Sequence, residues 1–131
     1  MFNNLFNGIK WFVQRGRRGY SQEDTWDLAD YFCRLLPPMI RELQGKCGCP
    51  SEFYDRESVN NECHKWDETL EEMAQGFEAA KWIKDMSISS SIRELNGKRG
   101  YNFDFKSFDN AEEKMNKGLA LFAKHFLSLW N

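Results

Sequence analysis

The chain has 131 residues, 41% of them hydrophobic and 29% charged, with a formal net charge of −2. That length suits one domain around one core, and the composition excludes both a disordered chain and a miniature that folds only when stapled by disulfides. The near-neutral charge supplies no global field to draw in nucleic acid, and no apolar run reaches the roughly 20 residues needed to cross a bilayer.

Aromatic residues make up 15% of the chain, with eleven Phe and five Trp, which predicts a core built from large rings. The opening stretch, MFNNLFNGIKWF, has no basic run followed by a small-residue cleavage site, so no signal peptide is expected. The four cysteines (Cys33, Cys47, Cys49 and Cys63) are accordingly expected as reduced thiols in a cytoplasmic protein.

The first predicted element is a short amphipathic helix over residues 2–14. Phe2, Leu5, Phe6, Ile9, Phe12 and Val13 recur at helical spacing, and Gly16 or Gly19 ends it. Ser21 then opens S-Q-E-D, a capping box with Asp24 in place of the usual Glu, and a long helix should follow. Its apolar stripe is Leu28, Phe32, Leu35 or Leu36, Met39 or Ile40, and Leu43. Pro37 and Pro38 each remove a donor, at about 3 kcal/mol for a proline inside a helix, so a kink or break is expected near Leu36.

Residues 44–55 read as a loop from their Gly, Pro and Ser content. From about Ser58 the pattern Trp66, Leu70, Met73, Phe77, Ala80, Ile83 predicts a second long helix ending near Met86. Residues 87–110 read as a long connection, with Tyr101, Phe103 and Phe105 alternating as in a short extended piece. Asp109 and Glu112 form a second capping signature before a last helix that carries Met115, Leu119, Phe122, Phe126, Leu129 and Trp130. The expected architecture is all-α: one domain over residues 1–131, a small bundle of three main helices and one or two short ones.

Three groups of residues could carry chemistry. The first is Arg15, Arg17, Arg18, Tyr20, Asp24, Trp26 and Asp27. Arginines beside a helix N-terminus can hold an anion, and Tyr20 and Trp26 could stack a base, so the set is a candidate nucleotide pocket. The simpler alternative pairs the arginines with Glu23, Asp24, Asp27 or Asp30 and makes Trp26 ordinary core. Glu23 and Asp24 also occupy the end of the helix where an anion would sit.

The second group is acidic: Asp24, Asp27 and Asp30 on one stretch, and Glu68, Glu71, Glu72 and Glu78 on another. Carboxylates from two facing helices can hold Mg²⁺ around a phosphate substrate, but Gln75 and Gly76 fall where a further acid would be wanted. The third group, Cys47-Gly48-Cys49 with Cys63-His64, is a weak zinc candidate of irregular spacing, since adjacent Cys and His point about 100° apart on a helix. No cofactor is expected. His125 reads as a surface residue or a satisfied core histidine. No P-loop, G-x-G-x-x-G, G-x-S-x-G or H-E-x-x-H is present.

Arg18, Gly19, Tyr20, Ser21, Asp24, Trp26, Leu28 and Tyr31, then Leu36, Pro37 and Ile40, then Trp66, Leu70, Met73, Phe77 and Glu78 form the pattern RGYSxxDxWxLxxY…LPxxI…WxxxLxxMxxxFE. That pattern, over roughly residues 9–85, resembles a recurrent group of small tailed-phage proteins. Cys47-Gly48-Cys49 departs from it, and nothing from Ser87 onward matches. The resemblance implies a phage origin, hence a location in the host cytoplasm, and a helical fold, and it supplies no mechanism. The functional expectation is a non-enzymatic accessory protein that binds a host (defence) protein or a small nucleotide. Leftover apolar surface favours a homo-oligomer. Neither membrane nor nucleic acid is expected as a partner. The alternatives are a metal-dependent nucleotide hydrolase and a virion assembly factor.

Overall fold

The computed structural model describes residues 2–46, 49–53, 64–95 and 105–130. Four helices carry it: α1 (Phe2–Arg18), α2 (Leu28–Arg41), α3 (His64–Leu95) and α4 (Phe105–Lys124). Single 3₁₀ turns stand at Glu23–Thr25, Ser51–Phe53 and Phe126–Ser128, and no strand occurs among the described residues. The expected all-α bundle is what forms, with α2, α3 and α4 packed on one another. The chain divides into two compact units, residues 1–32 and 33–131.

In the first unit α1 runs to Arg18 rather than stopping near residue 14. Its last turn carries Arg15, Arg17 and Arg18, where cations complement the carbonyl end of the helix dipole. Gly19 then adopts φ +80° and returns its N–H to the Arg15 carbonyl at 2.9 Å, a left-handed cap that suits a residue without Cβ. The arginines therefore close one helix and do not lead into the N-terminus of the next, which corrects the expected anion-binding arrangement.

The capping box is real but short-lived. The N–H and Oγ of Ser21 donate to Asp24 Oδ2 at 2.7 and 2.8 Å, and the Asp24 N–H donates to Ser21 Oγ at 3.3 Å. It closes only the 3₁₀ turn. A second cap follows at once: Asp27 Oδ1 accepts the Asp30 N–H at 3.0 Å and starts α2 at Leu28. Asp side chains compete with helix continuation by bonding nearby backbone, and two in tandem split the single helix expected from Ser21.

In the second unit α2 runs unbroken through Pro37 and Pro38 to Arg41, against the expected break. Burial of Pro37 and Ile40, and the polar anchoring of Arg41 described below, offset the lost donors. The core is Ile40, Trp66, Leu70, Met73, Ala74 and Phe77, flanked by Leu36, Leu43, Phe53, Leu121, Phe122 and Leu129. This is the α3 stripe that the spacing predicted, facing α2 on one side and α4 on the other. The ring-built core is only partly so: Phe6, Phe12, Trp26, Phe105, Phe126 and Trp130 stay exposed.

α3 is longer than its apolar stripe. It continues past Met86 to Leu95, and the Ser87 hydroxyl donates back to the Ile83 carbonyl at 2.9 Å, which lets serine sit in a helix. α4 begins at Phe105, so Asp109 and Glu112 lie inside it and cap nothing. The expected connection over 87–110 is thus helical at both ends. Its middle, with Tyr101 and Phe103, and the expected helix start near Ser58 lie outside the described residues.

α3 and α4 cross at two glycines. A Cβ on Gly76 would lie 2.6 Å from the Gly118 Cα, and a Cβ on Gly118 would lie 2.6 Å from the Gly76 Cα and 2.7 Å from the Glu72 carbonyl oxygen. Backbone opposes backbone there, so no side chain can rotate out of the way. Alanine at either position gains roughly 1 kcal/mol of helix propensity. It loses about 1–3 kcal/mol or more by forcing the helices apart. Gly76→Ala and Gly118→Ala are each expected to lower the thermal midpoint by several degrees, whereas Gly8→Ala, in open space on α1, should not; thermal melts of the three variants check this.

Candidate functional site

The candidate pocket residues of the first unit are brought together, as a closed knot. Arg15 Nε and Nη2 donate to the two Asp24 oxygens at 3.0 and 2.5 Å, and Nη2 also reaches Glu23 at 3.4 Å. The Asp24 side chain is 2% exposed. The Arg15 guanidinium first, then the Ser21 N–H and hydroxyl, hold its carboxyl well below the usual carboxylate range, although burial opposes this. Asp24 thereby fills the seat that an outside anion would take.

The remaining residues of the set have local tasks. The Arg18 guanidinium lies over the Tyr20 ring at 4.5 Å and Nε donates to the Tyr20 carbonyl at 3.1 Å. Trp26 stands edge-on to Trp11 at 5.8 Å and is 69% exposed, so it is not core. Gln14 Oε1 accepts the Gln22 N–H at 2.7 Å, tying α1 to the turn. Asp27 caps α2. Arg17 joins none of these contacts.

The acids of α3 meet cations and amides, not an open cleft. Arg41 Nε and Nη2 donate to Glu71 at 3.0 and 2.8 Å, while Nη1 and Nη2 donate to Glu78 at 2.5 and 3.0 Å. Gln44 and Gln75 amides add bonds to Glu71 at 3.0 and 3.2 Å, and Asp67 Oδ1 accepts the Gly45 N–H at 2.9 Å. Lys117 of α4 pairs with Glu72 at 3.0 Å. Glu71 and Glu78 were singled out in the sequence as candidate metal carboxylates, but Asp67 was not, although spacings of four and seven put the three on one helix face. Its partner at Arg41 leaves no local signal. Glu68 is exposed.

Cys49 is disulfide-bonded, which corrects the expectation of reduced thiols at this position, and a sulfur so bonded offers no thiolate to zinc. Cys33 is a thiol packed against the core. His64 is exposed at the start of α3; Cys47 and Cys63 lie outside the described residues. Among the described residues no group of three or more His, Cys, Asp or Glu is placed to hold a metal ion.

His125 is buried, its Nδ1 3.2 Å from Glu52 and its ring edge-on to Phe53 and Trp66 at 5.2 and 5.4 Å. Its Nε2 has no partner among the described residues. A groove of about 410 Å³ lies between α3 and α4, walled by Glu78, Trp82, Asn110 and Lys114; a second of about 380 Å³ is lined by Glu72, Glu113 and Lys117. None of the sequence-predicted pocket residues lines either one.

Comparisons with protein-family models, with curated proteins and with solved structures each find no match to this chain.

The clamp gives the second unit an acid-sensitive element. Hydrogen bonds from Arg41 first, then Gln44, bring the Glu71 carboxyl from 4.5 down to about 2. A lowered carboxyl adds stability above its ordinary value, and that stability is lost as pH falls through the folded value. Glu71 is 36% exposed, so the contribution is roughly 1 kcal/mol or less. Melting temperatures recorded from pH 6 to about pH 2 should fall more steeply for the native chain than for Glu71→Gln. In the first unit, Asp24→Asn should raise amide exchange across residues 15–26 while leaving α3 protected, because it breaks the knot alone.

Proposed function

We propose that this chain is a non-enzymatic accessory protein of the phage type that acts by binding, blocking a host defence protein or sequestering a nucleotide signal. The observation that carries this reading is the double clamp of Arg41 on Glu71 and Glu78. A metal-dependent hydrolase needs carboxylate oxygens open toward a cation and a phosphate. Here the facing-helix acids already accept hydrogen bonds from an arginine, two glutamines and a lysine. Glu71, Glu72 and Glu78 of that set are engaged in holding helices together.

A protein target is favoured over a nucleotide. Arg15 is committed to Asp24 and Glu23, and Arg18 to Tyr20, so a phosphate would have to displace a buried carboxylate. Exposed apolar side chains at the chain's end, Leu127 at 90% and Trp130 at 61%, support contact with another protein, a second copy of this chain included.

Incubated with nucleotides and Mg²⁺, the chain should release no product, and affinity capture from host lysate should return a specific protein. Turnover that is abolished by a chelator and by Glu71→Gln would sink the reading in favour of the hydrolase. A thermal midpoint raised by several degrees with a nucleotide, and not with Arg18→Ala, would move the target from protein to nucleotide.

A further inference from the structure

α1 is turned inside out relative to an ordinary surface helix. Trp11, Gln14, Arg15 and Arg18 face the turn at residues 19–26 and make every contact described above. The opposite face is apolar and bare: Leu5, Phe6, Ile9, Phe12 and Val13 are 48–77% exposed. At 3.6 residues per turn these five side chains span an arc of roughly 120°, and Lys10 and Arg17 border one edge within about 40° of Phe6. α1 contains four cations and no acid, whereas Glu23, Asp24, Asp27 and Asp30, the acids of residues 1–32, all follow it in sequence.

From this arrangement we propose that α1 attaches the protein to an anionic lipid bilayer by lying in the headgroup plane with its Leu5–Val13 face down. A ring-rich apolar face bordered by Lys and Arg matches that environment, and the helix need not be long enough to span. That no helix among the described residues is long and apolar enough to cross a membrane therefore does not bear on it. Charge selects the occupant: Lys10 and Arg17 attract acidic headgroups, while a second α1 would bring only like charges to the same seam. Shape does so too. The polar face already holds the turn, so α1 offers one side to a flat surface and cannot be wrapped on both sides by a protein groove. Lipid attachment goes beyond the binding role proposed above and does not depend on it.

Co-sedimentation of the full chain with vesicles tests the assignment. Vesicles of phosphatidylcholine and phosphatidylglycerol in about a 2:1 ratio should bind the chain at least roughly tenfold more tightly than phosphatidylcholine alone, and added salt should weaken the binding. Phe6→Asp/Phe12→Asp should abolish binding, and Lys10→Glu/Arg17→Glu should weaken it about tenfold, with melting curves showing both variants folded because these side chains are exposed. No binding, equal binding to neutral vesicles, or binding unaffected by either double variant overturns the proposal. So does a dimer in solution that Phe6→Asp/Phe12→Asp converts to monomer, which would give the face to a second copy.

Discussion

The contact between Gly76 and Gly118 sets the separation of α3 and α4, and the rest of the described core of the second unit is arranged around it. With the backbones touching, Phe77 meets Phe122 edge-on at 5.1 Å on the core side of the crossing. On the outer side Lys117 reaches Glu72. A larger residue at either glycine would move both contacts together. Gly76 stands where a metal-binding reading of α3 would want an acid, and the close approach is the physical reason that it cannot hold one.

α2 is fixed to the same spine by a different force. Its inner side contributes Leu36 and Ile40 to the core, and its end contributes Arg41, Gln44 and Gly45 to the acidic column of α3. The apolar contacts are non-directional and permit sliding. The bidentate pairs made by Arg41 are directional, and they set the register of α2 along α3. Residues that look like a charged face in the sequence therefore specify packing, and the lowered pKa of Glu71 follows from that task.

Much of this was legible, and the failures have physical causes. The α3 stripe of Trp66, Leu70, Met73 and Phe77 could be read because burial of one helix face imposes its period directly on the sequence. The turn at Gly19 and the Ser21–Asp24 box could be read because both are local. The prolines of α2 misled because a proline's cost is local while the burial and the Arg41 pairs that offset it come from residues about thirty positions away. Asp27 was read as part of an acidic face, and its capping of α2 shows only once the backbone path is known. Arg15 illustrates the same limit at the candidate site: its pairing with Asp24 was one of several pairings that the charges permitted, and only the fold selects it.

The sequence pattern RGYSxxDxWxLxxY…LPxxI…WxxxLxxMxxxFE is largely accounted for by these contacts. Ile40, Trp66, Leu70, Met73 and Phe77 form the core, Glu78 holds Arg41, and Gly19, Ser21 and Asp24 build the turn. Tyr31 donates its hydroxyl to the Gly19 carbonyl at 3.3 Å. A pattern so committed to packing specifies a scaffold. That scaffold leaves a set of large apolar side chains uncovered. In the first unit they include Tyr20, Trp26, Leu28 and Phe32 as well as the apolar side of α1, whose polar side is consumed by the fold. Exposed apolar surface is costly in water, and on α1 it is gathered along one face of a helix that carries no acid, which is the physical basis of the surface contact inferred above.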